Sequence, residues 1–153
     1  MTSYSIREAR PDEVDVVVSL RVAMSEENDG EKLSEQVLEA TRRWLHEHTR
    51  NGIMRSWLAE SDGRIVGTVS CRIRDASPRE HDLVGKEAYV HNLYVKPAYR
   101  SRGIGRALMQ TLLDWCKSAG YSRVALRASV MGRPLYERMG FAADRTMILK
   151  GRY

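Results

Sequence analysis

The stretch HNLYVKPAYRSRGIGRALM, His91 to Met109, decides the fold. Its first residues close an apolar run beginning at Ala88 that reads as a strand, AYVHNLYV, stopped by Lys96-Pro97. Gly103 and Gly105 follow, and then Ile104, Leu108, Leu112 and Cys116 recur every four residues. That spacing predicts a helix to Lys117 with an apolar core stripe, closed by Gly120 at a C-cap position. The order strand, glycine turn, helix suits an anion. A helix start has unpaired N–H groups and the positive end of a dipole. Glycines allow positive φ and close approach of the backbone. Together they make a phosphate cradle, to which Arg100, Arg102 and Arg106 add charge.

Two common cradles are excluded. GxGxxG needs glycine at 108, which is Leu108, and no Lys-Ser or Lys-Thr follows the glycines as GxxxxGK[ST] demands. What remains is Arg100-x-x-Gly103-x-Gly105, preceded by Leu93-x-Val95-x-Pro97.

Working outward, YSIREAR alternates as a first strand, and PDEVDVVVSLRVAM reads as a helix with Pro11 in its first turn. SEENDGEK is a polar break. SEQVLEATRRWLHEHTRN is a second helix, with Ser34 as N-cap and Val37, Leu38, Thr41, Leu45 and His48 on its inner face. RSWLAE and RIVGTVSCRIR flank Ser61-Asp62-Gly63, a hairpin signal. In the second of these strands Ile65, Val69, Cys71 and Ile73 share a face, which makes Cys71 a core residue. DASPREHDLVGKE is a connection. RVALRA is a strand, RPLYERM a short helix ended by Gly140, and DRTMILK a final strand.

The chain of 153 residues is read as one domain, 1–153, and its 42% hydrophobic and 29% charged residues indicate a globular protein. No apolar run approaches the ~20 residues of a membrane span. The acidic start MTSYSIREARPDEVD lacks a signal-peptide core, and Cys71 and Cys116 form no CxxC, so a reduced, cytoplasmic chain is expected. Net charge is +5 but uneven: from Lys96 onward twelve Lys/Arg face three acids, against thirteen and seventeen before it. A basic half invites phosphate or nucleic acid. It lacks the interleaved aromatics of a strand-binding surface, so no nucleic-acid partner is expected.

HNLYVKPAYRSRGIGRALM followed by RPLYERMGF, Arg133 to Phe141, resembles the GCN5-related N-acetyltransferase (GNAT) family. The resemblance implies an α/β fold: a central mixed sheet flanked by about four helices, with splayed parallel strands forming an acetyl-CoA cleft. It implies pantetheine contacts along Leu93, Tyr94 and Val95, and pyrophosphate contacts along Arg100, Ser101, Arg102, Gly103, Ile104, Gly105 and Arg106. The family often has Asn and Ala where this chain has Ser129 and Gly132; Ser129 can still hydrogen-bond the pantetheine arm.

Acetyl transfer needs a base for an ammonium of pKa about 10.4, a donor for the carbonyl oxygen, and an acid for a thiolate whose thiol has pKa about 8.5. Tyr136 occupies the family's position for the acid. His91 is the base candidate: strand alternation puts it on one face with Tyr89, Leu93 and Val95, and imidazole suits proton removal near neutral pH. Glu87, Tyr89 and a water relay stand behind it. His46 and His48 lie on different sides of a helix, and no metal is expected. The acids Glu26, Glu27, Asp29 and Glu31 fall where the family forms its acceptor pocket and could attract a cationic amine.

The expectation is therefore an N-acetyltransferase that uses acetyl-CoA as cosubstrate and passes the acetyl group directly to a primary amine of a small molecule. The alternatives are a protein lysine or α-amine acetyltransferase, and a non-catalytic CoA-binding regulator. Homodimers are common in the family, and the sequence leaves the oligomeric state open.

Overall fold

The computed structural model describes residues 3–151. Its chain order is β1 (Ser5–Glu8), α1 (Val14–Asp29), α2 (Glu35–Arg50), β2 (Met54–Ser61), β3 (Arg64–Asp75), β4 (Lys86–Val95), α3 (Ile104–Ser118), β5 (Val124–Leu126) and α4 (Arg133–Arg138). The five strands lie in sequence order in one sheet. Pairing is antiparallel from β1 to β4 and parallel between β4 and β5. The mixed sheet with four helices is the expected architecture. No helix among the described residues is long and apolar enough to cross a membrane.

The sheet is covered on both faces. On one, the stripe Ile104, Leu108, Leu112 and Cys116 is buried as its spacing requires, against Val69, Cys71, Ala88 and Val90. On the other, Val14 and Val17 of α1 and Leu45 of α2 pack on Met54 and Leu58. Ser34 caps α2, its hydroxyl accepting from Val37 N at 3.3 Å. Asp62 and Gly63, at φ 53° and 73°, make the two-residue hairpin.

Several expectations are corrected. The supposed polar break begins inside α1, which runs on through Asp29 to a left-handed Gly30. Val37 is exposed, because the inner face of α2 turns through Leu38, Thr41 and Leu45 instead. Ile65 joins the α1/α2 face, not that of Val69 and Cys71: Ala59 pairs with Gly67 and Glu60 with Ile65, so Val66 is an extra residue that reverses the alternation. β5 has three residues, not the six of RVALRA. DRTMILK forms no strand, and Met147, Ile148 and Leu149 are exposed. The three-residue edge of β5 offers too short a ladder to hold it.

A further bulge shapes the molecule most. Ser70 pairs with His91 and Thr68 with Tyr94, so Val69 alone faces both Asn92 and Leu93. Asn92 takes a left-handed φ of 60°. Beyond it the alternation of β4 is reversed. Ala88, Val90, Leu93 and Val95 pack with α3, while His91 meets Trp44 of α2 and Tyr94 reaches Glu27 of α1. The expected grouping of His91 with Leu93 and Val95 therefore fails. The extra residue bends the strand away from β5: their pairing ends at Val90 and Leu126, and β4 continues to Val95 paired with β3 only.

Asn tolerates the left-handed region and glycine occupies it freely, whereas a β-branched residue does not. Asn92→Gly should stay within about 1 kcal/mol of the parent. Asn92→Val should lose about 2 kcal/mol or more, or slip the register. Urea unfolding of both variants checks this, and equal stabilities would show that the bulge imposes no such demand.

Candidate active site

The gap left by the divergence of β4 and β5 is a cleft of about 610 Å³. One wall is β4 from Val90 to Val95; the opposite wall is Leu126, Arg127, Ser129 and, on α4, Leu135 and Tyr136. Its mouth is the loop from Tyr99 to Arg106, and Met24, Glu27 and Asn28 of α1 overhang one side.

At the mouth the chain turns through two left-handed residues, Ser101 at φ 63° and Gly103 at φ 82°. Gly103 is the N-cap of α3, and no side chain caps that helix end. The first N–H groups of α3 thus keep the anion-binding capacity that Ser34 partly consumes in α2. At Gly105 the fold itself does not demand glycine. A Cβ there would meet only Val95 Cγ2 at 3.8 Å and Leu135 Cδ2 at 3.9 Å, ordinary contacts. The space it leaves open belongs to the cleft.

Arg100 does something the sequence did not suggest. Its Nε donates to Val95 O at 2.8 Å, and the rest of the guanidinium pairs with Glu27 at 2.7 and 2.9 Å. Tyr94 Oη donates to the same carboxylate at 2.9 Å. The Arg100 guanidinium and the Tyr94 hydroxyl hold the Glu27 carboxyl below the usual range. Glu27 therefore ties α1 to the cradle and is already engaged. Of the other expected cradle residues, Arg106 lines the cleft. The guanidinium of Arg102 lies over the Tyr99 ring at 5.4 Å. Ile104 buries its side chain and can offer only backbone.

Tyr136 stands in the cleft wall, its ring against Phe141 with centroids 5.9 Å apart. Burial pushes its phenol pKa up, so the proton is held at neutral pH. Gly132 explains itself here. A Cβ at that position would lie 3.0 Å from Tyr136 Cε2 and 3.2 Å from Ser129 Oγ. Ser129 Oγ in turn accepts from Gly132 N at 3.1 Å, which leaves it its proton and a second lone pair to offer.

His91 lines the cleft, yet its surroundings oppose a proton. Burial first, then the charges of Arg72, Arg21 and Arg74, with His48 last, lower its pKa to about 4. Arg72 Nε donates to His91 Nε2 at 3.3 Å, so the ring nitrogen with the lone pair is already occupied. Glu87 is further from use. Its buried carboxylate is clamped at 2.5 Å by both Arg74 and Arg123, at the closed end of the β4–β5 pair. Cys71 and Cys116, remote in sequence, meet between β3 and α3. Their mutual hydrogen bond and burial raise the Cys71 thiol, which stays a protonated core group.

The chain is similar to known proteins in sequence and fold. Residues 17–141 match the acetyltransferase (GNAT) family. Over 81 residues the chain is 37% identical to the glucosamine 6-phosphate N-acetyltransferase of Trypanosoma brucei brucei, covering 53% of each protein. The chain spans about half the length of the curated relatives it matches. A GCN5-related N-acetyltransferase from Ralstonia eutropha superposes with a TM-score of 0.85 at 30% identity, over 97% of this chain and 98% of that one. The structure of a predicted acetyltransferase with acetyl-CoA from Clostridium acetobutylicum has the same fold, with a TM-score of 0.87 at 23% identity over 97% and 96%. The open parallel pair, the uncapped glycine turn and these matches agree: the chain belongs to the GNAT acetyltransferase family.

Proposed function

We propose that the protein is an acetyl-CoA-dependent N-acetyltransferase that transfers the acetyl group directly to a primary amine of a small molecule. The observation that carries this is the cleft itself: a length of β4 open on its β5 side, an uncapped helix start at its mouth, and a protonated phenol in its wall. An extended amide chain can add to an open strand edge, and a pyrophosphate suits the N–H groups of Ile104, Gly105 and Arg106. The relative named as a glucosamine 6-phosphate N-acetyltransferase supports a small acceptor.

Bound acetyl-CoA supplies a thioester, whose carbonyl a neutral amine attacks. Tyr136, which lines the cleft, would give its Oη proton to the departing sulfur. No cysteine offers an acyl-enzyme route, since Cys71 and Cys116 are sealed in the core. Deprotonation of the acceptor does not need His91 as base. Burial and then the guanidiniums, which together hold His91 neutral, disfavour in the same way the charged form of an ammonium placed beside it. The proton then leaves through water, and His91 remains a neutral wall residue.

Thiol release from acetyl-CoA against a panel of amines tests the activity; tight CoA binding without turnover would mark a regulator instead. Tyr136→Phe should lower kcat by roughly ten- to a thousand-fold with acetyl-CoA affinity nearly unchanged. Unchanged kcat, with chemistry shown to limit the rate, would leave Tyr136 a packing residue.

Gly105→Val separates ligand space from fold. It should weaken acetyl-CoA binding about tenfold or more, since the added methyls enter the cleft, with thermal stability retained. Calorimetry showing parental affinity in the folded variant would place the pyrophosphate elsewhere.

The pH dependence follows from the depressed His91. Its own limb lies near pH 4. Between about pH 6 and 8, log kcat/KM should rise with the deprotonation of the acceptor, and His91→Ala should leave that slope in place. A slope abolished by His91→Ala would restore His91 as the base. Stability gives an independent check. A histidine whose folded pKa lies below its unfolded 6.5 contributes stability that is lost as pH falls through 6.5 toward about 4. His91→Gln should flatten that decline.

A further inference from the structure

The acceptor side of the sheet carries positive charge that the protein does not neutralise. Arg72 on β3 pairs in register with Tyr89, and Arg21 on α1 lies one turn before Met24 and two before Asn28, which overhang the cleft. Both arginines are half-buried. Neither has a carboxylate within ion-pair distance among the described residues, whereas neighbouring Arg74 is paired with Glu87 at 2.5 Å. The Arg72 guanidinium lies 5.9 Å from the ring centres of both Trp44 and Tyr89, and its Nε is given to His91. That leaves the terminal nitrogens of a planar fork, held between two aromatic rings, beside the cleft residue His91. Among the described residues none of the acids expected to draw in a cationic amine, Glu26, Glu27, Asp29 and Glu31, is ion-paired with either arginine. Glu27 is engaged by Arg100 and Tyr94, and Glu26 accepts from Leu33 N at 3.4 Å.

A partly buried guanidinium without a counter-charge is costly unless a ligand supplies one. A purely cationic amine is repelled by it; an oxyanion is matched by its fork. From the position of this fork we infer that the acceptor is an anionic amine, a small molecule carrying a carboxylate or phosphate close to its primary amine, with the oxyanion held by Arg72 and Arg21 while the amine faces the cleft past His91. Trp44 and Tyr89 give the body of such an acceptor apolar walls. This rests on the acetyltransferase proposal and narrows its substrate class.

Matched acceptors that differ only in the anion test it: glucosamine 6-phosphate against glucosamine for a phosphate, and phenylalanine against phenethylamine for a carboxylate. In thiol-release assays with acetyl-CoA, at least one oxyanion-bearing member should exceed its anion-free partner in kcat/KM by about ten- to a hundred-fold, the range of a hydrogen-bonded charge pair. The pair that responds identifies the oxyanion. Arg72→Gln should bring that ratio below about threefold, and Arg72→Lys should restore part of it. Anion-free members used as well as or better than the oxyanion-bearing ones overturn the inference while leaving the enzyme proposal standing; so does a preference that survives Arg72→Gln. If no amine is turned over, calorimetry of the same compounds with the CoA-saturated protein decides. Anion-dependent binding lost in Arg72→Gln keeps the anion site and ends the enzyme proposal, whereas equal or undetectable binding of both members of each pair overturns the anion site.

Discussion

Everything at the site depends on one extra residue in β4. With Asn92 and Leu93 set against Val69 alone, the strand bends away from β5 after Val90, and its last five residues run without a partner on that side. An unpaired strand edge is ordinarily a liability; here it forms the wall of a cleft. The bulge also reassigns the side chains. Leu93 and Val95 go to the α3 face, while His91 and Tyr94 go to the face covered by α1 and α2. One backbone irregularity thus opens the cleft and divides its side chains between the α3 face and the α1/α2 face.

Ion pairs hold the two ends of this wedge. At the closed end the Glu87 carboxylate lies between Arg74 and Arg123, and Arg123 also reaches Asp144 at 3.1 Å, so β3, β4, β5 and the segment after α4 are tied at one point. At the open end Arg100 joins the last carbonyl of β4 to Glu27 of α1. Buried pairs of this kind add little net stability against their desolvation, but their geometry is directional. They fix how far the strands part and how α1 overhangs the mouth, which sets the spacing between the head of α3 and the α1 wall of the cleft.

Much of this was legible in the sequence where the signal was local. The four-residue stripe of α3, the cap at Ser34, the Asp62-Gly63 turn and the glycines at the head of α3 each act within a few residues, and each lies where its pattern put it. The failures were nonlocal. Bulges at Val66 and Asn92 have no strong composition signal, and each reversed a face assignment that strict alternation had made. Asn in a strand was the available hint at 92, since it is disfavoured in regular strands and at home in the left-handed region. The partners of Arg100 and Arg72 come from residues far away in sequence, so charge counts along the chain could not separate a neutralised guanidinium from an uncompensated one.

The central claim is that acetyl-CoA lies along the unpaired edge of β4 with its phosphates at the head of α3. Amide-resolved hydrogen exchange with and without acetyl-CoA tests it most directly. The account predicts new protection and large chemical-shift changes at Leu93 and Val95 and at Ile104, Gly105 and Arg106, with the amides of β1 and β2 unmoved. Binding that leaves those five amides unchanged, or that protects a different surface, would contradict it.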